Sequence, residues 1–227
     1  MMMTNFIPGF ILLDKMVGIS SAKALYPIKK LVPKGQKVGH AGTLDPFASG
    51  LLIVAVGRAT KSLQYIVALS KTYEFTVKWG EATDTDDLTG KIINQSIMIP
   101  SLNDIEKALE KFNGPIQQTP PKYSAISLNG MRAYDLARKG VDFELQSREV
   151  IIYNLDITHH NALYTSFIMQ CSKGCYVRSI ARDIAENLGS YAHVTVLKRT
   201  AIGDFNIENA HRGPMDHLPN IIPLSNI

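Results

Sequence analysis

Cysteine is scarce in this sequence, which has only Cys171 and Cys175 among its 227 residues. A structural zinc site of the usual spacing needs two pairs of ligands, and no second pair accompanies these two. We therefore interpret both as reduced, partly buried thiols, and we predict no metal site.

Long hydrophobic runs are also lacking. The apolar run at residues 9–15 is far shorter than the roughly 20 residues that a membrane-spanning helix needs, and no signal-peptide cleavage pattern accompanies it. Repeats, low-complexity tracts and heptads are absent as well. Because hydrophobic residues still make up 45% of the chain, we expect a globular, cytoplasmic protein with a large core and no membrane segment.

Neither sign of charge dominates. The chain has 24 lysines and arginines against 20 acidic residues, a formal net charge of +4. This charge permits an anionic partner such as nucleic acid, but many basic proteins of this size bind none. Charge alone therefore leaves the function open.

The patterns that are present alternate between strand and helix. Residues 73–79 alternate apolar and polar side chains, as in a half-buried strand, and residues 101–112 keep their apolar side chains on one helical face. A helix over residues 20–31 is expected to bend or break at Pro27. Long strands with interspersed helices indicate an α+β fold. Further strands are predicted at residues 9–15, 51–56, 150–157, 163–170 and 193–197, and further helices at residues 58–69, 131–139 and 176–188.

We expect a single domain over residues 1–210. An excursion from its sheet covers residues 117–145, where prolines and an Asn-Gly turn precede an amphipathic stretch. Residues 211–227 contain prolines and little periodicity, so we predict a surface tail there.

The most unusual segment is residues 37–50, where glycines, small residues and a proline precede the apolar run of residues 51–56. That run predicts a core strand, so the segment is a polar loop attached to a rigid element. Pro46 disfavours helical backbone angles at Asp45, which favours an extended, presented carboxylate. An Asp-Pro pair taken alone is more often a simple turn former.

The string GHAGTLDPFASGLL at residues 39–52 resembles the signature of TruB-type pseudouridine synthases. That signature is long and specific, and the resemblance continues in family order over nearly the whole chain. The other matching segments are GFILLDK at 9–15, KTY at 71–73, TDTD at 83–86, PPKYSA at 120–125, GCYVRSI at 174–180 and HVTVLKRT at 193–200.

The resemblance implies a pseudouridine synthase fold with a mixed, mainly antiparallel sheet flanked by helices and loops. It also implies an isomerisation of uridine 55 in the tRNA T-loop, in which the C1′–N1 bond breaks and a C1′–C5 bond forms. No cofactor is needed for this reaction, and the excursion at residues 117–145 is expected to contact RNA.

The resemblance assigns catalysis to three residues. Asp45 attacks ribose C1′ or uracil C6, which requires an ionised carboxylate, and Arg178 keeps it charged. Tyr73 stacks on the uracil and assists the loss of the C5 proton. Taken alone, an arginine at the position of Arg178 is more often a solvated or phosphate-facing side chain, and Tyr73 could equally be an ordinary core residue.

Other positions are implied to bind the substrate. Tyr176 and Leu197 match apolar walls around the uracil, and His40 matches a residue that helps to extrude the base. Asp86 matches a position near the flipped nucleotide, although Asp84 and Asp87 are close by and simple solvation is the alternative. Phosphate contacts, weakening as salt rises, are expected from dispersed basic residues. These are Lys15, Lys23, Arg58, Lys61, Lys122, Arg132, Arg138 and Lys173.

Two departures from the family pattern are visible. Met16 stands where proline commonly follows the Asp-Lys pair, and the residues after Thr200 are too few for the complete C-terminal PUA domain of many relatives.

We expect a monomer that binds the T-arm of tRNA without an obligate protein partner. The alternatives are a noncatalytic tRNA-binding or folding factor on the same fold and, on the weak motif at residues 57–61, a phosphate-handling hydrolase.

Overall fold

The computed structural model describes residues 6–223. Residues 1–5 of the predicted domain and residues 224–227 of the predicted tail lie outside this range. The chain forms two compact units. Of the described residues, the first unit comprises 6–72 and 198–223, and the second comprises 73–197.

Helices and strands alternate along the described residues. The first part of the chain contains β1 (Gly9–Lys15), α1 (Ser21–Ala24), α2 (Tyr26–Leu31), β2 (Val38–Ala41), β3 (Ser49–Val56), a 3₁₀ segment (Gly57–Ser62), α3 (Leu63–Ala68) and β4 (Lys71–Trp79). The middle part contains β5 (Glu81–Thr83), β6 (Ile92–Gln95), α4 (Leu102–Leu109), β7 (Gly114–Gln118), β8 (Ser127–Leu128), β9 (Met131–Arg132) and α5 (Ala133–Arg138). The last part contains β10 (Arg148–His160), β11 (Tyr164–Cys171), α6 (Val177–Asn187), β12 (Ala192–Ile202), β13 (Phe205–Asn206), a 3₁₀ segment (Ile207–Asn209) and β14 (Ile222–Pro223).

Strand β3 is the central strand of the first unit. It pairs antiparallel with β1 and β2 and parallel with the end of β12. Its side chains alternate between two cores, because Leu51 and Ile53 enter one cluster while Leu52 and Val54 enter the other. Each fully buried aliphatic side chain contributes about 1.5–3 kcal/mol, so β3 is a rigid support for the loop that precedes it. The predicted core strand is confirmed.

The first unit also confirms the break at Pro27, which lies in the first turn of α2 directly after α1. The described part of the predicted tail packs on this unit. Met215, Leu218 and Ile221 lie against one of the two cores, and β14 pairs with β1.

The second unit contains the strand order β12–β4–β11–β10–β7, with β10 antiparallel to both β11 and β7. The alternation predicted for β4 is confirmed, since Tyr73, Phe75, Val77 and Trp79 are buried. The rings of Phe75 and Phe167 stack with centroids 5.1 Å apart. The pairing is mixed and mainly antiparallel, and the predicted α+β fold is confirmed.

Helix α4 begins with a capping box, in which Ser101 and Asp104 each accept a backbone N–H of the other. It ends at Leu109, three residues before the predicted end. Residues 117–118, expected in the excursion, belong to β7 and pair with β10. The remainder of the excursion contains the β8–β9 hairpin and α5. Within residues 6–223 no helix is long and apolar enough to cross a bilayer.

Candidate active site

Asp45 lies between β2 and β3, on residues 42–48, which we call the Asp45 loop. The preceding residue, Leu44, is held from both sides by Ser21 at the start of α1. The Oγ atom of Ser21 accepts the N–H of Leu44 at 2.8 Å and donates to its carbonyl oxygen at 3.0 Å. Leu44 is buried and Asp45 is half-buried. The Asp45 loop therefore presents its carboxylate from a fixed backbone outside any helix.

Arg199 of β12 spans the same loop. Its Nε atom donates to the carbonyl of Leu51 at 2.8 Å and its Nη2 atom to the carbonyl of Gly42 at 2.9 Å, and the residue is only 1% exposed. Sequence reasoning missed this residue. Its spacing of two from buried Leu197 was the available signal, because alternate residues of a strand share a face.

Lys15, at the end of β1, is 1% exposed. Its Nζ atom donates to the carbonyls of Met16 at 3.0 Å and Ile19 at 2.8 Å. Burial lowers the pKa of Lys15 to about 8, against the opposing effect of the Asp45 charge and with a further lowering by Arg199. Such a buried position does not suit the predicted phosphate contact, and it places the ammonium within electrostatic reach of Asp45.

His40 is a half-buried residue of β2. Burial lowers its pKa below the usual value, and the charges of Arg199 and Lys29 lower it further. The imidazole is therefore neutral at pH 7. Its buried Nδ1 atom has no hydrogen-bond partner among residues 6–223.

In the second unit Arg178 lies in the first turn of α6 and is 3% exposed. Its guanidinium donates to the carbonyls of Thr85 at 2.9 Å and Tyr123 at 3.0 Å, and lies 3.7 Å from Oδ2 of Asp87. We call these four residues the Arg178 cluster. It holds a buried cation in one orientation, so the alternative of a solvated arginine is wrong.

Asp87 and Asp86 have different partners, and the resemblance assigned a position near the flipped nucleotide only to Asp86. Asp86 has a left-handed backbone (φ 59°) and pairs with Arg182 at 3.2 Å. Burial raises the pKa of Asp86 to about 6 despite the opposing charges of Arg182 and Arg178. Arg182, one turn after Arg178 on α6, also donates to the carbonyl of Thr119 at 2.8 Å.

The remaining predicted residues also belong to the second unit. Tyr73 on β4 is 9% exposed and Leu197 on β12 is 6% exposed. Tyr176 caps α6, and its backbone N–H and carbonyl bond the side-chain amide of Gln118 at 2.8 and 3.1 Å. The guanidinium of Arg148 lies 5.2 Å from the Tyr176 ring centroid, a cation–π contact.

The structure thus groups Asp45 with Lys15, His40 and Arg199 in the first unit and Arg178 with Asp87 in the second. The predicted pairing of Asp45 with Arg178 stays a prediction. The other basic residues named for phosphate contacts are exposed: Lys23, Arg58, Lys61, Lys122, Arg132, Arg138 and Lys173.

Among residues 6–223, no three His, Cys, Asp or Glu residues lie close enough together to hold a metal ion. Both cysteines are free thiols. The pKa of Cys175 is raised well above its usual value by a hydrogen bond with Cys171 and by burial. The Cys175 thiol is therefore protonated and unreactive at neutral pH.

Residues 29–177 match the family model of the TruB family pseudouridylate synthase (N terminal domain). This match covers more than half of the chain and includes the Asp45 loop and Tyr73. The chain therefore belongs to the TruB family.

Relatives and solved structures agree with this assignment. The chain is 45% identical to tRNA pseudouridine synthase B of Mesorhizobium japonicum over 89% of this chain and 62% of the relative. It is 48% identical to the protein of that name from Ehrlichia chaffeensis over 89% of this chain and 69% of the relative. A chain of a Cbf5-Nop10-Gar1 complex is similar at 28% identity with a TM-score of 0.66, over 87% of this chain and 50% of that chain. This chain thus spans roughly two thirds of such curated relatives and half of that structure.

Proposed function

We propose that this chain isomerises uridine to pseudouridine at position 55 in the T-loop of tRNA, with Asp45 as the attacking carboxylate. The observation that carries the proposal is the Asp45 loop. Its backbone is bonded on both sides by Ser21, and it lies in the segment that matches the TruB family. A fixed carboxylate costs less conformational entropy at the moment of attack than a mobile one.

The reaction is balanced without an external reagent. Asp45 attacks ribose C1′ or uracil C6, the C1′–N1 bond breaks, and the base turns within the enzyme. A C1′–C5 bond then forms, the proton on C5 leaves to solvent, N1 gains a proton, and the carboxylate departs unchanged. The product is an isomer of the substrate, so Asp45 has to be ionised at the start and free of covalent attachment at the end.

Lys15 and His40 support this chemistry from the same unit. With a pKa of about 8, Lys15 is mainly protonated at pH 7, and its charge favours the ionised form of Asp45. His40 is mainly in its neutral form at pH 7, because burial lowers its pKa, and a neutral imidazole suits contact with bases better than with phosphates. This supports the role in base extrusion that the family resemblance assigns to it.

For the second unit we propose the roles that the resemblance assigns. Arg178 is the cation that keeps Asp45 ionised, and its fixed orientation in the Arg178 cluster supports this role. Tyr73 is the platform for the uracil and assists the proton transfer, and Tyr176 and Leu197 are its apolar walls. Asp87, whose Oδ1 atom accepts hydrogen bonds from Thr85 and Thr89, holds Arg178 in place through Oδ2.

The proposed substrate is tRNA, recognised at its T-arm. Exposed basic residues of both units support a binding mode in which phosphate contacts dominate and affinity falls as salt rises. Residues 122–139 contribute Lys122, Arg132 and Arg138 from the excursion. A monomeric state and a cytoplasmic location remain predictions.

The deciding experiment measures tritium release from a tRNA transcript labelled at uridine C5. We expect release by the wild-type chain from the U55 transcript, none attributable to position 55 when U55 is replaced by C, and none with Asp45→Asn. Glu106→Gln, which removes one charge from an exposed position of α4, is the control and should be active. Tight binding without Asp45-dependent release would leave the noncatalytic binding factor instead.

A further inference from the structure

We propose that Arg199 is a positioning residue for the reaction, and that it fixes the Asp45 loop by bonding the backbone at both ends of it. The inference rests on the proposed function and adds a residue to it. That Arg199 fixes the Asp45 loop is a statement about the free protein and is testable without RNA.

The two hydrogen bonds of Arg199 bracket the attacking residue. Its guanidinium binds the carbonyl of Gly42, where the loop begins, and the carbonyl of Leu51, just beyond its end. Both bonds come from one planar, always charged group, so the two carbonyls are held at a fixed separation. The ten residues from Gly42 to Leu51 therefore form a closed segment with Asp45 near its middle.

Two glycines lie against Arg199, Gly50 against its backbone and Gly42 against its guanidinium. A Cβ atom on Gly50 would lie 2.3 Å from the carbonyl oxygen of Arg199, directly opposite it in the parallel pairing of β3 and β12. A Cβ atom on Gly42, where φ is +68°, would lie 3.2 Å from Nη1 of Arg199. Gly42 thus leaves room for the guanidinium itself, and Gly50 lets the backbone of β12 approach β3 closely enough to bring Arg199 to the Asp45 loop.

The charge of Arg199 also reaches the other functional groups of the first unit. It contributes to the lowered pKa of Lys15 and to the lowered pKa of His40. Arg199 therefore acts on the Asp45 loop through backbone geometry and on its neighbours through electrostatics. It does not touch the substrate in this account, so its loss should slow the reaction while RNA binding persists.

The test compares Arg199→Met, Arg199→Lys and Gly42→Ala with the wild type. We expect single-turnover tritium release to fall by about 100-fold in Arg199→Met, since a displacement of about 1 Å can cost that much. Arg199→Lys, which can bond one carbonyl, should recover part of the rate. The Kd for tRNA from filter binding should change less than threefold. Arg212→Met, at an exposed arginine paired with Asp14, is the matched control with normal rate.

Gly42→Ala disturbs the same contact from the opposite side. It keeps the proposal testable if the arginine variants fail to fold. Its effect should not add to that of Arg199→Lys in the double variant, because both act on one contact. Hydrogen exchange in the free protein should accelerate at residues 42–51 in each variant and stay unchanged in β1 and the remainder of β3.

Normal single-turnover rates in folded Arg199→Lys and Gly42→Ala would overturn the proposal. A parallel loss of reaction rate, tRNA affinity and exchange protection across the whole chain would also overturn it, because a merely structural role predicts that result. If the wild type itself releases no tritium, the proposed function fails, whereas the exchange at residues 42–51 still decides whether Arg199 fixes the loop.

Discussion

Arg178 and Asp87 form an ion pair in which both side chains are buried, and this burial makes the loss of either partner costly in free energy of unfolding. Their side chains are 3% and 6% exposed, so little water screens the interaction. Removing Asp87 takes away one buried partner of this pair together with the hydrogen bonds that it accepts from Thr85 and Thr89, and breaking a buried pair in this way typically costs about 3–5 kcal/mol.

We therefore predict that Asp87→Ala lowers the free energy of unfolding by about 3 kcal/mol, as measured by urea denaturation. Asp84→Ala removes the same charge from the same loop but leaves the Arg178 cluster intact. It should cost clearly less, and equal losses in the two variants would contradict the structural role of Asp87.

Sequence reasoning selected Asp86 rather than Asp87 for a physical reason. Three carboxylates lie within four positions, at Asp84, Asp86 and Asp87, and no periodicity distinguishes them in a loop. The left-handed backbone at Asp86 sends neighbouring side chains to different partners, Arg182 for Asp86 and Arg178 for Asp87. Such a turn at a residue other than glycine is uncommon, so the sequence does not predict it.

At the scale of elements, helix α1 and the Asp45 loop are joined through one hydroxyl. Ser21 is 1% exposed and bonds both the N–H and the carbonyl of buried Leu44. Its neighbour Ser20 only caps α1 by accepting the N–H of Lys23 at 3.2 Å.

This pair of serines gives a matched comparison. Ser21→Ala leaves two buried backbone groups without their partner, which costs about 1–3 kcal/mol, and we expect the rate of tritium release to fall about tenfold. Ser20→Ala should cost about 1 kcal/mol through loss of the cap and leave the rate unchanged. Equal rates in both variants would show that Ser21 does not position the loop.

Elements with strong periodicity were predictable from sequence, and weakly patterned ones were not. The alternation of β4 and the amphipathic face of α4 predicted both elements, and the apolar run at residues 51–56 predicted β3. Short strands were not predicted, because they form only by pairing with other strands. β2 pairs with β3, and β7, which begins with Gly-Pro, pairs with β10. Arg199 escaped because a buried charge contradicts the usual preference of arginine for the surface.

At the scale of the whole molecule, buried titratable groups shape the dependence of stability on pH. The pKa of Asp86 is about 6 in the folded protein and 3.8 is its ordinary value. Between these two values the folded state binds more protons than the unfolded state, so stability falls as pH rises.

We predict that this fall, up to about 3 kcal/mol between roughly pH 4 and pH 6, is absent in Asp86→Asn. Urea denaturation across this range measures it. Asp142→Asn changes the same charge at an exposed position and serves as the control. An unchanged slope in Asp86→Asn would mean that burial of Asp86 does not govern the profile.

The central claim is that Asp45, fixed by the loop around it, performs the attack. Single-turnover tritium release by Asp45→Asn, measured beside filter binding to the same U55 transcript, tests it most directly. We predict a rate reduced by about 10⁴-fold or more, with tRNA affinity within a few-fold of the wild type. Release by Asp45→Asn at a rate close to that of the wild type would contradict it.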